Sequence, residues 1–442
     1  MVYSHTTLAQ ARAQLATRLQ DASLVYFVTA EVDRYIKESL RTWQTLTGYW
    51  RARATFVTAA ATMFYDLEAL LAPALRDFTL LDQDLVTDIE YHLLEPPTPA
   101  AWTGTGQFVL QDLTDALQRR RNQFLVETGC HLVHSTQAMP APPIGRAPLS
   151  DAIIDVRRAA WYDAALVYTH LWREDEWAMN ASDPTWVTNL GTPTSFSIIA
   201  TPQVSLQVSP NPIDAGTLDL ITVNAGAALN PAAGVLMGVP DDFCWIVKWG
   251  ALADLLSKDG PARDPQRADY CEKRYQQGVQ LANLFTCVIQ AEIQGIPLIV
   301  NALADLDAYD QNWQNGSGTP TDIAIAGINL VVPYPKPDGV YSMTFDVVRN
   351  AIIPAVDADQ LQIGREELEA ILGYAEHLAM FKVGGPEFAA TAHYWDNMMH
   401  IAATHSERIS AASRYAAILA EQSRKEQFAR PRRVALQGGQ DA

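Results

Sequence analysis

The sequence has few cysteines and few charged residues for a chain of 442 residues. Its four cysteines show no C-x-x-C spacing and are too sparse for a disulfide framework, so they predict reduced thiols in a core. Charged residues make up 19% of the chain, below the ~25% typical of a soluble domain. Much of the surface must therefore be uncharged, which suits burial against other protein. The cysteines are Cys130, Cys244, Cys271 and Cys287.

Long apolar runs are also missing. No stretch approaches ~18 consecutive apolar residues, so we expect no transmembrane helix and no membrane partner. Residues 1–16 are polar and lack the basic and apolar regions of a signal peptide. The length leaves room for two or three domains at roughly 150 residues each. The sequence thus predicts a soluble protein with a sizeable core.

The common catalytic motifs do not occur in this sequence. We find no P-loop, no G-x-G-x-x-G after a strand, no G-x-S-x-G and no H-E-x-x-H. Residues 315–318 place a serine between two glycines, but no strand precedes them and no helix follows, which favours a flexible loop. We therefore predict neither a catalytic residue nor a cofactor.

The charge balance is strongly acidic but uneven along the chain. Fifty acidic and 32 basic side chains give a net charge of −18, which argues against a general nucleic-acid binder. Residues 423–442 carry five basic and two acidic side chains, a net of +3, which leaves −21 on residues 1–422. Pro431 and a Gly-Gly pair in this segment predict an extended arm, with a frayed terminus as the alternative. The candidate partner-binding residues are Arg424, Lys425, Arg430, Arg432 and Arg433.

Two groups of histidines have spacings that bear on metal binding. His393, Asp396 and His400 fall at i, i+3 and i+7 of a predicted helix, so they can converge on one metal if a fourth ligand comes from elsewhere. A solvated or interhelical polar face is the competing interpretation, and we predict no metal. His131 and His134 have no common face on a strand or loop, which indicates incidental placement.

Two charged runs have structural interpretations. Asp305, Asp307 and Asp310 resemble the start of a calcium loop, but the required glycine and later glutamate are missing, so a turn or helix end is predicted. The run 119–121 consists of three arginines that point about 100° apart on a helix and cannot form one phosphate clamp. We interpret it as a salt-bridged helix face, with a subunit or DNA contact as the alternative. The acids nearest in sequence are Asp112, Asp115 and Glu127.

Hydrophobic spacing predicts an α+β fold: a helical bundle with a long C-terminal helical hairpin and an inserted β-sandwich-like domain. The second helix of that hairpin is expected to run from Pro386 to about Arg424, roughly 55 Å. An amphipathic piece at 174–181 interrupts the β-rich part. The predicted regions are 1–129, helical with a β-hairpin at 52–66; 130–240, β-rich; 241–288, a helical pair; 289–350, β-rich; 351–425, the C-terminal helical hairpin; and 426–442, the basic extended tail.

Three segments carry a resemblance to a known family. They are residues 32–51, VDRYIKESLRTWQTLTGYWR; residues 251–284, ALADLLSKDGPARDPQRADYCEKRYQQGVQLANL; and residues 365–390, REELEAILGYAEHLAMFKVGGPEFAA. These segments resemble helices of the adaptor and neck proteins that join head to tail in tailed bacteriophages.

The resemblance implies a structural virion protein that is assembled in the host cytoplasm. Such a protein forms a homo-oligomeric ring of about twelve copies through heterologous interfaces. It binds the portal protein on one side and a tail or neck protein on the other, and DNA passes through without specific binding. By this resemblance the basic tail would insert into the portal. The alternatives are a tail-fibre or collar attachment protein, or a soluble metal- or ligand-binding enzyme that uses the His393 face.

Overall fold

The computed structural model describes residues 5–71, 75–93, 108–139, 145–199 and 204–405. Within these residues the chain is α+β, with eleven α-helices and two seven-stranded sheets. Most of the helices pack together as a helical bundle beside the first sheet, and the second sheet adjoins both.

The helix ends follow local sequence signals. The helices are α1 (Leu8–Arg18), α2 (Thr29–Thr47), α3 (Leu67–Leu70), α4 (Asp82–Leu93), α5 (Leu110–Thr128), α6 (Glu176–Ser182), α7 (Cys244–Ser257), α8 (Pro265–Leu284), α9 (Leu303–Tyr309), α10 (Arg365–Val383) and α11 (385–405). Thr7 and Gln10 form a capping box on α1, and Asp264 caps α8 ahead of a proline at its first position. Gly48 and Gly129 end α2 and α5 in the left-handed region that favours glycine.

Two sheets hold most of the strands. The strands are β1 (Arg51–Val57), β2 (Tyr65–Asp66), β3 (Leu132–Met139), β4 (Arg146–Pro148), β5 (Ile153–Tyr162), β6 (Tyr168–Arg173), β7 (Leu190–Gly191), β8 (Ser195–Ile199), β9 (Ser205–Ser209), β10 (Asn211–Pro212), β11 (Gly216–Asn224), β12 (Val288–Ile293), β13 (Ile296–Ala302), β14 (Ser317–Gly318), β15 (Asp322–Ala326), β16 (Leu330–Tyr334), β17 (Lys336–Pro337) and β18 (Ser342–Val348). The first sheet has the order β1-β18-β12-β13-β15-β16-β2, and the second has the order β3-β11-β5-β6-β8-β9-β4.

The β-hairpin predicted at 52–66 does not form. β1 pairs along its whole length with β18, and β2 pairs with β16, so the two strands lie at opposite edges of the first sheet. An isolated two-stranded hairpin is only marginally stable in water. Pairing with β18 instead stacks Phe56 on Phe345, with ring centroids 5.2 Å apart, and buries both.

The predicted β-sandwich-like insertion is wrong. The β-rich regions form two separate sheets, of which the second comes entirely from 132–224, while the first combines 51–66 with 288–348. β11 explains the arrangement, because alternate side chains of a strand face opposite sides. Leu218 and Leu220 enter a small core within the second sheet, whereas Ile221 and Val223 enter the main core shared with the helices. The second sheet therefore packs on the rest of the chain, not on a partner sheet.

The long C-terminal helical hairpin is not evident either. α10 has 19 residues and is buried on nearly every side, so it is an interior helix of the bundle and not one arm of a projecting pair. It packs on α2, α1 and α4. After Gly384, α11 is described up to residue 405, and its expected continuation to Arg424 lies outside the described residues.

Candidate interaction surface

The predicted partner-binding residues cannot be placed. Residues 406–442 lie outside the described part of the chain, and they include Arg424, Lys425, Arg430, Arg432 and Arg433. The candidate sites described below lie within the described residues.

The candidate metal ligands of α11 lie on the outer face of that helix. His393, Asp396 and His400 are all exposed, and the ring Nδ1 of His393 lies 2.9 Å from the carbonyl of Ala390. Over the described ranges, no group of three or more His, Cys, Asp or Glu side chains can hold a metal ion. The geometry thus offers no closed ligand set around this face.

The three arginines of the run 119–121 form ion pairs and hydrogen bonds with other parts of the chain. Arg119 and Arg120 bind the Asp254 carboxylate at 2.8 and 2.7 Å, and Arg120 also binds Glu272 at 2.7 Å. Arg121 is fully buried and donates to the carbonyl of Ala227 at 2.9 Å, and burial lowers its pKa to about 10. The carboxylate partners of Arg119 and Arg120 come from α7 and α8 and not from the neighbouring acids of α5. Helix packing brings these carboxylates, which are distant in sequence, close to the two guanidinium groups.

The three aspartates that resemble the start of a calcium loop make separate contacts with different parts of the chain. Asp305 accepts the N–H of Ala302 at the start of α9, and Asp310 accepts the Tyr334 hydroxyl at 3.2 Å. Asp307 forms an ion pair with Arg158, at 3.0 Å. Their carboxylates therefore do not converge on a single ion site.

Arg158 and Asp307 belong to a polar joint between the second sheet and the α9 region. Arg158 donates to Gln314 at 2.9 Å, and Gln314 donates to Asp219 at 2.8 Å. His134, one of the two histidines considered above, contacts the other oxygen of Asp219. Because the members come from five places in the sequence, spacing along the chain carries no signal for this joint.

A cleft of about 370 Å³ opens beside this joint. Arg157 and Arg158 line one side, and the C-terminal ends of α5 and α8 line another, with mostly apolar groups between them. Both arginines already have carboxylate partners, Asp155 at 3.4 Å and Asp307 at 3.0 Å. Arg158 thus joins β5 to α9, while the Arg157 ion pair lies within β5 itself.

The helical bundle hides a second set of charged groups. Lys248 binds Glu38 in the interior, and Arg274 donates to the Tyr374 hydroxyl while stacking over Trp395. Burial raises the pKa of Glu38 and lowers that of His92 well below its usual range. These groups are closed off from solvent and serve the bundle's internal packing.

Residues 166–213, which include strands of the second sheet and helix α6, by contrast expose large apolar side chains. Trp177 on α6 is 83% exposed and Trp172 on β6 is 50% exposed. Five further apolar residues in the same stretch of chain are each more than half exposed. They are Leu166, Val167, Val187, Leu190 and Ile213.

The position of Trp177 is set by firm local contacts. Asp175 caps α6 by accepting the N–H of Ala178 at 2.6 Å, and Met179 anchors the opposite side of the helix in the interior. The N–H of Glu174 donates to the carbonyl of Phe196 on β8 at 2.9 Å. Trp177 is therefore presented outward by a helix that is tied to the sheet.

A groove of about 630 Å³ runs between α6 and β8, and we call it the α6 groove. Its lining comprises residues 173–177 and 197–199. Glu174 and Glu176 are exposed and form no ion pair within the part of the chain that the structure describes. The Ser197 hydroxyl is buried in the lining and has no hydrogen-bond partner among the described residues. Within the described residues, the α6 groove thus combines two carboxylates without ion-pair partners, the exposed ring of Trp177 and a buried hydroxyl without a hydrogen-bond partner.

A scan against models of protein families and a search of curated proteins both found no match to this chain. The helices of the described residues include none with the length and apolar character to cross a membrane. The case for a function therefore depends on the resemblance in sequence and on the surfaces described above.

Proposed function

We propose that this protein is a structural subunit of the head-to-tail connector of a tailed bacteriophage. In this role it docks on the portal, joins a tail or neck protein and surrounds the DNA channel as one copy of a closed ring. The observation that carries the proposal is the set of exposed apolar side chains within residues 166–213, of which Trp177, at 83%, is the most exposed. Aromatic side chains bury a large area at protein interfaces, where they are enriched. A surface of this kind suits permanent contact with other subunits.

The arrangement of the three resembling segments supports the same proposal. Residues 32–51 lie largely on α2, residues 251–284 on α7 and α8, and residues 365–390 mainly on α10. In the folded chain α10 packs on α2, and α7 packs on α8 and α2. The segments that resemble connector proteins therefore form one packed unit and not scattered surface features.

The charge distribution supports a channel that DNA passes without binding. The chain carries a net charge of −18, and the internal arginine run 119–121 is engaged by the chain's own carboxylates and carbonyls. Phosphate binding needs clustered basic side chains that are free to contact DNA.

The same exposed tryptophans favour a second candidate, a tail-fibre or collar attachment protein. Trp172 and Trp177 lie on the second sheet and its helix, where a fibre or collar can be held through aromatic contacts. Subunit number separates the two candidates, because fibres are usually trimeric whereas connector rings commonly have about twelve copies.

Purified virions provide the test. We expect cryo-electron microscopy to locate the subunit between portal and tail, and quantitative mass spectrometry to give about as many copies as the portal has. A trimeric density at the tail tip or collar would favour the second candidate. Absence of the protein from purified virions would overturn both.

A further inference from the structure

The α6 groove presents acidic and aromatic side chains side by side. Glu174 and Glu176 stand exposed beside it without ion-pair partners in the described ranges, while the nearby Arg173 is occupied by Asp155 at 3.0 Å. Trp177 presents an open ring, and cations bind over tryptophan faces more strongly than over other aromatic rings. The groove therefore offers charge pairing and cation–π contact at one place.

An observation independent of charge also points to an occupant. Ser197 is 1% exposed and lines the groove, yet its Oγ has no hydrogen-bond partner in the described structure. Buried polar atoms are almost always hydrogen-bonded, and leaving one unsatisfied costs free energy. The hydroxyl is covered by the groove lining in this structure, so a donor from a bound chain reaches it only when that lining shifts.

We propose that the α6 groove binds the basic C-terminal segment, residues 424–433, of a neighbouring copy of this chain. That segment holds Arg424, Lys425, Arg430, Arg432 and Arg433 against a single acid, Glu426. Arginine forks bind carboxylates in bidentate geometry and stack on aromatic rings, which are the two groups that the groove presents. The segment is also the most basic stretch of an otherwise acidic chain, so the charges are complementary.

The source of the segment follows from where the described chain ends. α11 packs on the helical bundle, with Trp395 against Tyr374 and His405 against Trp43. The second sheet instead meets the rest of the chain through α5, β16 and the Arg158–Asp307 ion pair. The 19 residue steps from residue 405 to residue 424 span at most about 65 Å when fully extended, so the segment can reach well beyond the bundle. A segment of one copy that enters a groove of the next is a heterologous contact of the kind that closes rings.

This inference rests on the proposed function only in requiring a neighbouring copy of the chain. Cysteine crosslinking of full-length protein tests it, because Cys130, Cys244, Cys271 and Cys287 are buried. One chain carries Glu176→Cys, and a second chain, tagged to differ in size, carries Phe428→Cys. We expect a crosslinked product of mixed size when the two are coexpressed. Glu366→Cys on the exposed start of α10 is the matched control and should give about tenfold less product.

Charge reversal tests whether the crosslink depends on the acidic residues of the α6 groove. Glu174→Arg with Glu176→Arg should reduce a crosslink between Ala178→Cys and Phe428→Cys about tenfold, and raising salt from about 0.1 to about 1 M should weaken it as well. Glu366→Arg with Glu387→Arg changes the net charge equally on exposed helix positions and should leave the yield unchanged. Restoring opposite signs with Arg430→Glu, Arg432→Glu and Arg433→Glu should rescue the crosslink.

Three results would overturn the inference. They are crosslinking that ignores charge reversal, products confined to single chains, and a tail that crosslinks to the portal but never to the groove. The presence of the protein in virions is measured separately, so a connector subunit whose tail binds elsewhere would be recognised as such.

Discussion

The helical bundle hides charged side chains in its interior, whereas the second sheet leaves large apolar side chains on its surface. In the bundle Lys248, Glu38 and Arg274 are all buried. Trp172 on the second sheet and Trp177 on the adjoining helix α6 face outward. Both placements are costly in isolation, because a buried charge loses its hydration and an exposed apolar surface contacts water.

The two regions differ in how that cost is met. Buried charges of the bundle find partners within the same chain, as Glu31 does with Lys382 at 3.0 Å and Lys248 does with Glu38. The exposed apolar groups and the acids of the α6 groove have no such cover in the described residues. The comparison teaches that the bundle is complete as a folded unit, while the second sheet is the region that other subunits complete.

The largest expected effect comes from breaking a buried ion pair in the bundle. We expect Lys248→Met to lower the free energy of unfolding by about 3–5 kcal/mol, because Glu38 is left buried without its partner. Denaturant unfolding followed by circular dichroism measures this change. The double variant Glu38→Leu, Lys248→Met replaces both charges with apolar groups and should recover most of the loss. A double variant as unstable as the single one would show that the uncompensated charge is not the cause.

The joint between the two regions should be the next most sensitive place. We expect Arg158→Ala to cost about 2–3 kcal/mol, because Asp307 and Gln314 both lose a buried donor. Arg157→Ala, at the neighbouring position, should cost about 0–1 kcal/mol, because that side chain is partly exposed. Chemical denaturation measures both, and hydrogen exchange should show faster opening of α9 in Arg158→Ala. Equal costs for the two variants would contradict the assignment of the joint.

The buried carboxylate of Asp242 predicts a pH dependence within the bundle. Asp242 accepts the N–H of Ala351 at 3.1 Å and lies 3.8 Å from Arg76, and burial raises its pKa to about 7. In the unfolded chain this carboxyl has a pKa of about 4, so the folded state holds the proton more tightly. Its contribution to stability is complete below about pH 4 and is lost as the pH rises to about 7, at up to about 1.4 kcal/mol per pH unit.

Asp242→Asn removes this titration while keeping an oxygen acceptor for Ala351. The difference in unfolding free energy between wild type and variant should therefore change steadily between about pH 4 and 7 and be flat above. Glu68, whose pKa burial also raises to about 7, titrates in both proteins, so the subtraction removes its contribution. A difference that does not depend on pH would contradict the assignment.

The smallest effect on stability is expected at the α6 groove. Trp177→Ser should change the free energy of unfolding by no more than about 0.5 kcal/mol, because the side chain is largely in solvent. Met179→Ala on the buried side of the same helix should cost about 2–3 kcal/mol. Thermal unfolding compares the two variants, and incorporation into particles should fall for Trp177→Ser. A large loss of stability in Trp177→Ser would mean that the ring belongs to the core.

Several helix ends follow from local sequence signals. Thr7, Gly48, Gly129 and Asp264 mark helix ends by side-chain capping or by left-handed backbone, and each acts within a few residues of its own position. The strands were recognisable one by one for the same reason, since alternation is a local pattern. Their partners were not, as Thr55 and Thr344 face each other across β1 and β18 from positions 289 residues apart.

The candidate site was even less accessible from the sequence. The amphipathic piece at 174–181 was noticed, but nothing in its pattern says that Met179 points inward while Trp177 stands in a groove with Ser197. The basic tail was recognised from its composition, because charge can be counted without a fold. The sequence does not show that Glu174 and Glu176 are the acidic residues available to pair with this tail, because only the tertiary structure shows which carboxylates already have ion-pair partners.

By itself the sequence determined the capping signals at several helix ends, the absence of the common catalytic motifs and the contrast between an acidic body and a basic tail. These properties depend on residue types and on contacts a few positions apart. Only the tertiary structure decided which strands share a sheet, that α10 lies inside the bundle, and which charges are satisfied within the chain. Those outcomes depend on packing between distant segments, where pairing and burial are settled by the whole fold.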